Sequence, residues 1–169
     1  MAIYPLSLPI RLDNIRQWTY NSIMSKSTNL AYLAGLIDGE GCIYISAQGG
    51  HRWLRPNLEI CMCDNQGLRW VKDNFPQFRF TLKRQKLTNG GKHVWRCSMT
   101  RYDDLLDLLP KVLPFLKVKK EHASLLLSYI KEHALERPNS GIRNPATHPS
   151  AWQFRSRISA LNKHPVALF

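Results

Sequence analysis

Apolar residues crowd together from Leu30 to Ile37, after Ser27 and Thr28 as N-cap candidates and before a glycine-rich exit at Gly39 and Gly41. A short helix starts and stops this way. Beyond Gly41 the period becomes two: Cys42–Gln48 predicts a strand, 49–55 a turn region and Asn57–Cys63 a second strand, together a hairpin. Alternation puts Leu58, Ile60 and Met62 on one face and Asn57, Glu59 and Cys61 on the other. A helical stretch over Gln66–Asn74 closes at Phe75-Pro76. Next comes a second hairpin, Phe78–Lys86 and Lys92–Thr100, turning at Thr88–Gly91, where Asn-Gly is a strong turn signal. Phe78, Phe80 and Leu82 alternate with Arg79, Thr81 and Lys83, and Trp95, Cys97 and Met99 with Arg96, Ser98 and Thr100. Helices are expected at Tyr102–Leu109, Lys120–Leu135 and Ala151–Lys163, with a loop at Pro138–Pro149.

The order αββαββα followed by helices predicts an α+β fold, with one antiparallel sheet and helices on its apolar face. Its other face, basic and polar, is left open. Residues 1–27 lack a clear period and are taken as an N-terminal arm, with a short helix around Asp13–Ile23; 28–169 form a single domain with C-terminal helices from about residue 120.

Composition sharpens the picture of the open face. Lys plus Arg number 24 and Asp plus Glu 12, a formal net charge of +12 over 169 residues. At 44% apolar residues this is a folded chain with excess positive charge, which points to a polyanion such as nucleic acid. Nothing approaches the roughly 18–20 apolar residues of a membrane span. The start, with Pro5 and Pro9 and no early basic residue, does not resemble a secretory signal, so a soluble protein in a reducing, intracellular setting is expected. Cys42, Cys61, Cys63 and Cys97 are too few for a disulfide scaffold and lack Cys-x-x-Cys spacing for zinc; small buried thiols in strands are the expectation.

The segment Leu33–Gly41, LAGLIDGEG, carries chemistry of its own. Ala31, Gly35 and Asp38 lie close to one helical stripe, where small residues let a second helix approach backbone to backbone. At the helix end, carbonyl oxygens lack intrahelical donors, and the Glu40 carboxylate beside them adds the hard oxygen that Mg²⁺ or Ca²⁺ requires. An acidic group there is unfavourable without a cation. A capped core helix with solvated Asp38 and Glu40 is the plainer alternative.

LAGLIDGEG resembles the signature of the LAGLIDADG homing endonucleases, with Gly39 and Glu40 in place of its final Ala and Asp. The element order is similar to the family core, and Leu113–Lys120, LPFLKVKK, resembles the segment around its catalytic lysine. The resemblance covers about residues 28–135 and implies a curved sheet saddle over double-stranded DNA. One motif copy implies a homodimer, with Ala31, Gly35 and Asp38 at the helix interface. Two-fold symmetry implies a long pseudo-palindromic target. By the same resemblance Glu40 holds Mg²⁺ with the Gly39 carbonyl, Mn²⁺ substitutes, and Ca²⁺ binds without supporting cleavage. Lys119 stands for the active-site lysine, against the alternative of a surface lysine on a basic chain. Asp64 falls where a polar residue contacts active-site water, with a helix N-cap as the competing role. Asp38 belongs to the signature but more naturally holds the helix exit. The implied activity is double-strand cleavage with short 3′ overhangs, as in intron homing.

Tyr44, Ser46, Gln48, Arg55, Asn57, Glu59, Lys83, Gln85, Arg96 and Ser98 are the base-reading candidates on the polar face. Glu59 is atypical of a phosphate contact; it either accepts from cytosine or restrains a neighbouring arginine. The competing function is a binding protein on the same fold: a maturase acting on intron RNA, or a regulator that has lost cleavage.

Overall fold

The computed structural model describes residues 12–48, 53–76, 83–86, 93–133, 142–143 and 148–163. It opens with α1 (Leu12–Glu40), β1 (Gly41–Gln48), β2 (Trp53–Met62) and α2 (Gln66–Asn74). There follow β3 (Lys83–Lys86), β4 (His93–Met99), α3 (Tyr102–Val112), α4 (Lys120–His133), β5 (Ile142–Arg143) and α5 (Pro149–Lys163).

All strand pairings are antiparallel, in the order β1-β2-β4-β3, with β5 beside the start of β2. The period-two pattern explains the layering. Ile43, Ile45, Leu58, Ile60, Cys97 and Met99 lie on one face and are buried under the helices, whose own apolar stripes (Leu33, Ile37, Leu105, Leu109, Leu126, Ile130) close the core. Two buried hydroxyls cross it without loss: Tyr129 donates to the Leu54 carbonyl at 3.3 Å and lies 3.1 Å from the Tyr102 hydroxyl. The expected fold class, element order and one-sided helical layer are all present. Among the described residues no helix is long and apolar enough to cross a membrane.

Three differences from the expected elements have physical causes. The first helix does not begin at Ser27 but at Leu12, running unbroken through the Ser27-Thr28 positions that resemble a cap. A cap requires the backbone to leave the helix, and serine or threonine alone does not force that. A short strand, β5, forms within the segment expected to be loop. The thiols are not uniformly buried: Cys97 is, Cys61 is half-buried, and Cys42 and Cys63 are exposed on the polar side and beyond the end of β2. The expected turn at Thr88–Gly91 and the alternation over Phe78–Leu82 lie outside the described residues.

One close approach sets the helix-to-strand exit. A Cβ on Gly41 would fall 2.5 Å from the Ile37 carbonyl oxygen and 2.8 Å from its Cα, so the chain passes from α1 into β1 only because residue 41 has none.

Candidate functional site

The end of α1 is tied to the loop before α4 by Asp38. Its two carboxylate oxygens accept the backbone N–H groups of Lys117 at 2.7 Å and Lys119 at 2.8 Å. In return Lys119 donates through Nζ to the Asp38 carbonyl at 2.5 Å. That carbonyl is among the last four of the helix, which have no intrahelical donor, and a cation there also meets the negative end of the helix dipole. The hydrogen bonds bridge 79 to 81 positions of sequence, and they bring the LAGLIDGEG exit and the LPFLKVKK segment together as one site. Burial pushes the Cys42 thiol at the start of β1 up, the nearby Glu59 adds to this, and Lys119 pulls it back.

Gly39 and Glu40 stand exposed beyond this clasp. Asp64 leaves the sheet at the same end, since Gly41 is opposite Ile60 and β2 finishes at Met62. Its carboxylate accepts the Gln66 backbone N–H at 3.1 Å, which opens α2, and the side chain is otherwise exposed. This is a side-chain turn one residue ahead of the helix, whose N-cap position is Asn65 and carries no side-chain cap.

Among the described residues no group of three or more His, Cys, Asp and Glu could hold a metal ion. Glu40 is exposed and is the last residue of α1, so one chain offers a single carboxylate and the backbone oxygens of a helix end. Those are hard donors in a small number, which fits Mg²⁺, an ion held by one or two carboxylates with water and phosphate completing its shell.

The polar sheet face is not uniformly open. Glu59 and Asn57 are each only 6% exposed. Asn57 donates to the Ser46 hydroxyl at 2.9 Å and to the Arg55 carbonyl at 2.7 Å. Glu59 accepts from the Tyr44 hydroxyl at 2.8 Å and is ion-paired with Nε of Arg96, and the Cys61 thiol donates to it at 3.8 Å. Tyr44 and Arg96 are diagonal neighbours of Glu59, and Ser46 of Asn57, across β1, β2 and β4, a relation that alternation along one strand does not reveal. Burial, the hydrogen bond to Glu59 and its charge together push the Tyr44 hydroxyl well above the ordinary tyrosine range. Tyr44, Ser46, Arg96 and Ser98 are half-buried on this face, while Gln48 and Arg55 are exposed. Lys83 sits opposite Arg96 in the ladder and Gln85 opposite Val94.

Along α1, Ala31 and Gly35 are exposed, and a Cβ on Gly35 or Gly39 would meet nothing within 4 Å. Asp38 differs from them: its carboxylate turns into its own chain. Beside this strip lies a groove of about 420 Å³ lined by Thr28, Asn29, Tyr32, Gln66, Gly67 and Trp70, with the Tyr32 and Trp70 rings edge to face at 4.4 Å. Two further residues brace the site from behind. Asn162, near the end of α5, donates to the Ile43 carbonyl at 3.0 Å, and His122, in the first turn of α4, faces Asn162 and the Leu161 backbone. No periodicity in the sequence marks either residue.

No protein-family model matches the sequence, and none of the curated proteins does. Solved structures do. The homing endonuclease I-CvuI, in complex with its target in the presence of Ca, is similar over 86% of this chain and 89% of its own, with a TM-score of 0.64 at 19% identity. An archaeal intron-encoded homing endonuclease complexed with DNA is similar over 80% and 84%, with a TM-score of 0.58 at 17% identity. The LAGLIDADG meganuclease I-AabMI, bound to uncleaved DNA, is similar over 81% of this chain but 49% of its own, with a TM-score of 0.54 at 20% identity.

Proposed function

With the fold of the LAGLIDADG homing endonucleases as the premise, we propose that this chain is one subunit of a homodimeric, site-specific DNA endonuclease. The observation that carries this is the clasp at the end of α1, which holds the Lys119 cation on the Asp38 carbonyl and leaves Glu40, two residues further on, exposed. In the chemistry we infer, Glu40 and the Gly39 carbonyl offer oxygens to Mg²⁺ at the scissile phosphate, and Lys119 keeps positive charge close to the developing oxyanion. A bound divalent ion supplies charge neutralisation and an activated water for phosphodiester hydrolysis, with Mn²⁺ able to replace it and Ca²⁺ binding without turnover. Asp64, with one carboxylate oxygen on the Gln66 N–H, has its second available to order solvent.

Self-association is supported by two independent features. The Ala31–Gly35–Gly39 strip is open and free of side-chain bulk. The chain also carries one copy of the LAGLIDGEG motif and spans about half the length of I-AabMI, which leaves room in that protein for a second unit. Two copies about a two-fold axis present two Glu40 carboxylates, one for each strand of a pseudo-palindromic site, and cleavage then leaves short 3′ overhangs. The sheet face of both copies supplies the base-reading side chains.

The test is cleavage of a randomised double-stranded DNA library with Mg²⁺, followed by sequencing of the ends, for the wild type and Glu40→Gln. Discrete double-strand cuts in one roughly symmetric sequence are expected from the wild type. The variant should bind the same sequence and leave it intact; cutting at the wild-type rate would remove Glu40 from the chemistry. Retention of DNA or structured intron RNA by the wild type without any cut would favour the regulator or maturase instead.

A further inference from the structure

At the centre of the polar sheet face lies a buried acid where a nucleic-acid surface has least use for one. Glu59 is on β2, between Cys42 of β1 and Ser98 of β4 in the ladder. Its side chain is 8% exposed, whereas that of its ion-pair partner Arg96 is 40% exposed. Both carboxylate oxygens are engaged, one by the Tyr44 hydroxyl at 2.8 Å, the other by Nε of Arg96 and the Cys61 thiol. An acid so enclosed has no lone pair aimed outward for a cytosine amine. Removing a carboxylate from water is costly unless it is paired and hydrogen-bonded, so a sheet needing only a filled position would be better served by threonine or valine.

The guanidinium gives the arrangement its use. Arginine carries its N–H groups on a rigid planar fork, and an ion pair made at Nε by a side chain that is still 40% exposed leaves the far edge, with its two Nη groups, outside that pair. That edge is the one that pairs with O6 and N7 of guanine in the major groove. We propose that Glu59 is a positioning residue, which fixes the fork of Arg96 so that it reads a guanine at one base pair of each half-site, and that Tyr44 in turn fixes Glu59. The inference rests on the sheet face binding DNA, as above. It also accounts for charge: the pair is neutral as a unit, so Arg96 adds little indiscriminate attraction to phosphate and contributes mainly through geometry.

The experiment is selection of bound sites from a randomised duplex library by the full chain and three variants, with thermal unfolding recorded for each. The wild type should enrich a motif with guanine at one position per half-site. Arg96→Lys, which keeps the charge and loses the fork, should cut that preference by about tenfold or more. Glu59→Gln should relax the same base pair and no other to a like extent, and Tyr44→Phe should relax it less. A Glu59→Gln motif with the guanine preference intact would overturn the inference. So would an even loss across all positions, as a merely structural role gives, or a change confined to a different base pair, as direct reading by Glu59 gives. If Glu59→Gln does not fold, Tyr44→Phe decides in the same way, since it frees one carboxylate oxygen and leaves the charge in place. No enriched motif from the wild type would instead overturn the DNA-reading function itself, an outcome distinct from the others.

Discussion

Replacing Asp38 with alanine removes both acceptors that hold the loop before α4 against the end of α1. Hydrogen bonds to a charged group are worth about 1.5–3 kcal/mol each. Asp38 is half-buried, and water reaches part of the gap once the side chain is gone, so the lower end of the range applies to its two bonds from Lys117 and Lys119. The expected loss is about 3 kcal/mol. For a chain of this size that lowers Tm by roughly 6–12 °C, at about 2–4 °C per kcal/mol. Asp38→Asn keeps one acceptor and should fall about half as far. Chemical denaturation with a matched slope, alongside a thermal scan, measures the loss directly. Since the same loop carries Lys119, cleavage should drop as well, by up to about a hundredfold for a displacement of about 1 Å. A Tm shift below roughly 2 °C for the alanine variant would refute the clasp as a stabilising feature. Loss of self-association with an unchanged Tm would assign the carboxylate to a subunit interface instead.

Three further outcomes are expected. Gly35→Ala should stabilise the isolated subunit by about 1 kcal/mol, because glycine is a poor helix former and a Cβ there meets nothing, yet weaken self-association measured by sedimentation; unchanged association would take the strip out of the interface. Burial, and then the nearby Lys119, hold His122 below its ordinary value of 6.5. The unfolded chain therefore binds the proton first, so its contribution is complete above pH 6.5 and is lost as pH falls through the lowered folded value; His122→Gln should remove that part of the unfolding pH profile, and an unaltered profile would contradict it. Finally, with a net charge of +12, the logarithm of DNA affinity should fall against the logarithm of salt with a slope of about −5 or steeper, and a flat line would rule out a phosphate-tracking surface.

Local periodicity made the elements legible: Ile43 and Ile45, Leu58 and Ile60, and Cys97 and Met99 announce their buried face by alternation alone. The motif also made the helix exit legible, including the structural use of Asp38. Pairings between distant strands left no such trace. Asn57 and Glu59 are polar at polar positions, and only the ladder that sets Tyr44, Ser46 and Arg96 around them turns that face into a closed network. Asp64 shows a different limit, because a carboxylate before a helix suits a cap and a solvent site equally in the sequence, whereas the cap position falls on Asn65 and Asp64 closes a turn ahead of it. Helix length escaped for a related reason: Ser27 and Thr28 are good caps and are also tolerated inside a helix that continues.

The hydrogen bond from Asn162 to the Ile43 carbonyl closes a loop of 119 positions, and it ties the strand leaving the motif to a helix made long after it. During synthesis from the N-terminus, α1 with its exposed Glu40 emerges while α5 has yet to be translated. Contacts of such long range form late and slow folding, because chain entropy is lost before they reward it. A nascent or truncated chain ending before Asn162 would therefore hold the acidic motif without the brace behind β1. The strand that leaves the motif is completed only once α5 has been made and has docked against it.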